Sequence, residues 1–143
     1  MPPVSTLTDK CVIIVDAALP LGLIANAAAV LGMSLGRFFP EMVGPDLRDL
    51  DGRLHLGISE FNLPILKSDA AQIRELRARL YEAEYAGLTA VDFSGLGQGC
   101  RDYGDFAQKL AATPESLLKY SGLAVCGDKK LVNRLTGSMP LLR

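Results

Sequence analysis

Lys10-Cys11-Val12-Ile13-Ile14-Val15-Asp16 is the stretch that decides the fold. Side chains on a strand alternate between its two faces, and here neither set is polar between Lys10 and Asp16. The run therefore reads as a strand buried on both sides, at the centre of an α/β sheet rather than at its edge. Downstream, Pro20 suits the first turn of a helix, where it gives up no hydrogen bond and its φ is preset. That helix is expected to reach about Met33, with Gly36 soon after its end. Leu23, Ile24, Ala27, Ala28, Val30 and Leu31 leave it almost no polar face, so it is expected to lie between the sheet and a second subunit or loop.

Outward from this unit the chain keeps alternating. Leu63-Pro64-Ile65-Leu66-Lys67 reads as a short strand, then Asp69 caps a helix with Gln72 as its capping-box partner. Ile73, Leu76, Leu80 and Ala83 recur at helical spacing, and Gly87 is placed to close that helix. Thr89 to Ser94 is a third strand, followed by Gly95-Leu96-Gly97-Gln98-Gly99 and an amphipathic piece from Asp102 to Ala111. Thr113-Pro114-Glu115 has the form of an N-cap and first turn. Tyr120 to Cys126 is the last strand, and Lys129 to about Thr136 the last helix, closed by Gly137. This order predicts one domain over 1–143, a three-layer α/β sandwich on a small mixed, partly parallel four-stranded sheet. Residues 37–62 break the pattern with Phe38-Phe39-Pro40, Gly44-Pro45-Asp46 and Asp51-Gly52, and the alternation Leu54-His55-Leu56 adds a small hairpin. Such an excursion is expected to be a lid, an oligomer contact, or both.

Composition bounds the partners. Of 143 residues 49% are hydrophobic, mean hydropathy is +0.22 and net charge is −1. A small domain has little interior in which to hide that surplus, so part of the surface is expected to be covered by a second copy in a homodimer. No apolar run approaches the roughly 20 residues that span a bilayer, and Met1-Pro2-Pro3-Val4-Ser5 lacks the basic start of a signal peptide; no membrane partner is expected. The near-zero charge argues against nucleic acid unless Arg74, Arg77, Lys129, Lys130 and Arg134 gather on one face. Cys11, Cys100 and Cys126 cannot all pair, and none stands in a C-x-x-C spacing. Neither a disulfide framework nor a metal site is suggested, and a reducing cytoplasm is expected. No cofactor is implied.

Two segments carry a resemblance to a known family. Lys10 to Val15 with Leu21-Gly22-Leu23-Ile24-Ala25-Asn26-Ala27-Ala28 is similar to the first strand and helix of the type II peptidyl-tRNA hydrolases. Leu123-Ala124-Val125-Cys126-Gly127-Asp128 through Leu131 to Gly137 is similar to their closing strand, glycine turn and helix. The whole chain, including Val43-Gly44-Pro45-Asp46, Gly87 to Phe93 and Leu135 to Arg143, looks still more like the uncharacterised family named domain of unknown function 2000, thought to share that fold. The resemblance implies the fold and withholds the activity. The hydrolases' helix lysine falls on Leu23, their glutamine on Ala27 and their histidine on Val30, and none of these can hold a phosphate, activate water or stabilise an oxyanion.

Clefts in such sheets form at the carboxyl ends of parallel strands. Asp16, Asp92, Ser94 and Cys126 are the strand-terminal candidates. Cys126, just before a helix N-terminus, is either an activated nucleophile or a buried inert thiol. Asp16 and Asp92 form either an acid–base or Mg²⁺-binding pair or two loop caps. Gly22, Asn26, Gly127 and Lys129 are placed to border a ligand beside Asp16. Gly95 to Gly99 lacks the Gly-Lys-Ser/Thr of a phosphate loop and reads as a turn, and His55 as a solvated loop histidine. Three functions stay open: a small-molecule binder without peptidyl-tRNA hydrolase activity, a divergent hydrolase using Asp92, Ser94 or Cys126, and a dimeric interaction protein.

Overall fold

A computed structural model describes residues 3–143. Met1 and Pro2, the start of the segment examined for a signal peptide, lie outside them. The central strand is β1 (Asp9–Asp16), followed by α1 (Leu21–Phe38), a two-residue pair β2 (Leu47–Arg48) and β3 (Leu54–His55), then β4 (Ile65–Ser68) and α2 (Ala70–Arg79). The second half holds β5 (Thr89–Ser94), the single turn α3 (Gly95–Gln98), α4 (Tyr103–Ala111), β6 (Tyr120–Asp128) and α5 (Lys129–Thr136). The main sheet has four strands in the order β4-β1-β6-β5, with β1 parallel to β4 and β6 antiparallel to both its neighbours. β1 and β6 are the middle strands, which explains why their sequences are apolar on both faces.

Each face of the sheet receives its own layer. On one, Ile24, Leu31 and Leu35 of α1 pack against Ile13, Val15 and Ala124. On the other, Ile73 and Leu76 of α2 and Val132 and Leu135 of α5 pack against Val12, Ile14, Leu123 and Val125. The sandwich is therefore the three-layer mixed architecture that the strand and helix order predicts.

Several element boundaries differ from the sequence reading. α1 continues past Met33 through Gly36 and stops only at Phe39, because the residue before Pro40 is forced off helical geometry (φ −132°, ψ 70°). Within the chain one face of it is covered: Ile24, Ala27, Leu31 and Leu35 are its buried residues, and Leu21 and Met33 stand exposed. Its length and composition would suffice to cross a membrane, yet this buried stripe ties it to the sheet. α2 ends at Arg79, and Ala83 belongs to a separate 3₁₀ turn, Ala83–Tyr85, that drops Tyr85 into the core. Asp69 does cap α2, accepting from the Gln72 N–H at 2.8 Å, but the Gln72 side chain turns to the Ser68 hydroxyl instead of closing a capping box. Thr113 is not a cap either; its hydroxyl donates back to the Lys109 carbonyl.

The excursion folds onto the α1 side, pinned by buried Met42 and Phe61. Asp49 shapes its hairpin: Oδ1 accepts from the N–H groups of Asp51 and Arg53, and Oδ2 lies 2.8 Å from His55 Nε2. Gly52 supplies the left-handed turn residue at φ +80°. The His55 hydrogen bond, followed by the Arg53 N–H, holds the Asp49 carboxyl below its ordinary range. A carboxyl so lowered contributes stability above its ordinary pKa and loses it as pH falls through the lowered folded value. Amide resonances of residues 47–55 are thus expected to shift toward disordered positions as pH falls below the ordinary carboxyl range, with Asp49→Asn lacking that step.

Candidate functional site

Because β6 runs against both β1 and β5, the carboxyl ends of β1, β4 and β5 emerge at one end of the sheet, where β6 begins. Among the described residues five polar side chains are buried, and four of them, Asp16, Ser68, Ser94 and Ser121, sit at that end. Buried polar groups cost free energy unless bonded, so their gathering marks a built feature.

A cleft of about 340 Å³ opens there, lined by Asp16, Leu19, Leu23, Gly95, Gln98, Gly99, Lys119, Tyr120 and Ser121. Asp16 Oδ1 accepts from the Ala18 N–H at 3.0 Å, and the Leu19 N–H returns to the Asp16 carbonyl. The Ser121 hydroxyl donates to Gln98 Oε1 at 2.9 Å, and Gln98 Nε2 donates to the Leu23 carbonyl in the first turn of α1 at 3.1 Å. This chain of bonds ties α3, β6 and α1 across the cleft. Behind it, the Tyr120 hydroxyl donates to Glu115 Oε1 at 2.9 Å, and Arg74 braces Glu115 while its guanidinium lies over the Tyr120 ring. Burial first, then the Glu115 carboxylate, push the Tyr120 phenol far upward, so it stays a neutral donor.

The sequence candidates separate into two groups. Asp16 lines the cleft and Ser94 is buried at the same end. Asp92 does not line it: on the α2 side of β5 it pairs with Arg77 Nε at 2.9 Å, so the Asp16–Asp92 pair is not assembled there. Gly22 and Asn26 lie exposed on α1, outside the lining. Cys126, Gly127 and Lys129 stand at the opposite end of the sheet. Cys126 is the register partner of Cys11, five residues before Asp16, or roughly 16 Å along the strand. It is also joined to Cys11 in a disulfide and fully buried, which corrects both its reading as a strand-end nucleophile and the expectation of no disulfide. Lys129 is occupied with the carbonyls of Thr6 and Leu7.

Three of the five basic residues are held in ion pairs. Arg74 pairs with Glu115, Arg77 with Asp92 and Arg134 with Glu84. Among the described residues no three His, Cys, Asp or Glu side chains gather as metal ligands. Gln98, Lys119, Tyr120 and Ser121 escaped the sequence reading. Ser121 enters the cleft through a break in pairing, where Phe93 faces Gly122 and Ser94 faces Tyr120, and no residue type announces that bulge.

The fold and cleft define a mixed-sheet α/β fold with a cleft at its strand ends. The chain belongs to the family described as Protein of unknown function (DUF2000), whose profile matches residues 9–143. Its fold is similar to a solved structure from Agrobacterium tumefaciens strain C58, itself a protein of unknown function. The TM-score is 0.85 at 19% identity, covering 95% of this chain and 98% of that one. No match was found among curated proteins.

Proposed function

We propose that this protein binds a small molecule in the strand-end cleft and lacks peptidyl-tRNA hydrolase activity, on a scaffold resembling that of the type II hydrolases. The observation that carries this reading is a cleft in which the buried Asp16 and Ser121, with Gln98 and Lys119, stand beside Leu19 and Leu23. Small-ligand sites have this make-up, with apolar walls and a few placed polar groups. Asp16 offers an anionic acceptor, Lys119 a cation, and Leu19 and Leu23 an apolar wall, which suits a compact ligand with a donor or cationic group at one end and an anionic group at the other.

Binding is favoured over nucleophilic catalysis because Ser121 gives its proton to an amide oxygen, which cannot serve as a base. The paired state of Asp92 and the disulfide at Cys126 weigh against the divergent hydrolase. The ion-paired arginines weigh against a tRNA partner. A thermal-shift screen of zwitterionic metabolites tests the reading. A true ligand at ~100 Kd is expected to raise Tm by roughly 10 °C, and Asp16→Asn, which keeps the Ala18 bond but removes the charge, to abolish that rise. Turnover of peptidyl-tRNA at low salt, or hits that survive Asp16→Asn, would overturn it.

A further inference from the structure

We infer that the excursion between α1 and β4 is the contact of a homodimer, in which Leu50 of each copy seats in an apolar groove on the other. Among the described residues, six of the sixteen exposed large hydrophobic side chains fall within residues 43–58: Val43, Leu47, Leu50, Leu54, Leu56 and Ile58. Together they expose on the order of 700 Å², close to the ~800 Å² that each partner contributes to a standard stable interface.

The shape is self-complementary. Leu50 projects from the hairpin tip, fully exposed at 102%. An open groove of about 860 Å³ lies on the same excursion, walled by Leu47, Leu54, Leu56 and Ile58. A knob and a groove on one element satisfy each other when two copies meet about a twofold axis, which is the requirement of an isologous interface. Charge agrees. Arg53, beside the tip, and Glu60, on the groove rim, each lack an ion pair within the described residues, so the arginine of one copy can meet the glutamate of the other. The hairpin is too short to hold its form by its two ladder positions alone. Asp49 instead fixes it through three hydrogen bonds, presenting Leu50 in one place.

Sedimentation velocity on the full chain tests this. The wild type is expected to be a dimer at tens of micromolar and Leu50→Asp a monomer with unchanged circular dichroism, since that side chain packs on nothing internal. Arg53→Glu is expected to weaken the dimer about tenfold, and Arg53→Glu with Glu60→Arg to restore it. A monomeric wild type, a dimer that survives Leu50→Asp, or a monomer that floats with neutral phospholipid vesicles would each overturn the assignment, the last making the patch a lipid contact.

Discussion

Reduction of the Cys11–Cys126 disulfide is expected to lower the melting temperature by about 15 °C, the largest effect any single change should have on this protein. The bond joins positions 115 residues apart, so it closes most of the chain into one loop. In the chain-entropy account a crosslink of that span removes about 4 to 5 kcal/mol of disorder from the unfolded state. It also locks β1 to β6, the two strands at the centre of both hydrophobic clusters. Melts with and without reductant check the size of the effect, and a Cys11→Ala, Cys126→Ala double variant should melt like the reduced protein and ignore reductant. Thiol titration in denaturant should find one reactive group without reductant, Cys100, and three with it. Coincident melts, or three thiols from the start, would remove the crosslink from the account.

Gly57→Ala is expected to unfold the excursion and to separate the dimer inferred above without touching its contact side chains. A Cβ at position 57 would stand 1.8 Å from the Gly44 carbonyl oxygen and 2.8 Å from its carbon, and both are backbone atoms with no rotamer to change. The two arms of the excursion meet there, with the Gly57 N–H bonded to Asp46 and the Gly44 N–H to the Ile58 carbonyl. Forcing them apart breaks those bonds and the Val43–Ser59 bridge, for a cost of roughly 3 kcal/mol. Limited proteolysis should then cut within residues 43–60 while the sheet stays protected, and sedimentation should report monomers. Retained resistance to protease would mean the close approach is not what holds the loop.

The sequence by itself determined the layers. The unbroken apolar runs of Cys11 to Val15 and Leu123 to Cys126 read as middle strands, and Asp69 announced the helix it caps. For Asp16 it left a loop cap and an acid–base role open, and in the fold the carboxylate accepts from the Ala18 N–H, as a cap does, while it lines the cleft. What it left open were the properties that depend on strand direction and on which distant positions become neighbours. Only the antiparallel placement of β6 sends Cys126, Gly127 and Lys129 away from Asp16 and sets Cys126 against Cys11, a pairing whose spacing in the chain carries no signal. Only the bulge at Ser121 turns its hydroxyl toward Gln98, and only the fold of residues 43–60 shows that their leucines face outward together. Burial and periodicity are local properties that composition records, whereas register and cleft geometry are set by contacts between segments far apart in the chain, and those exist only once it has folded.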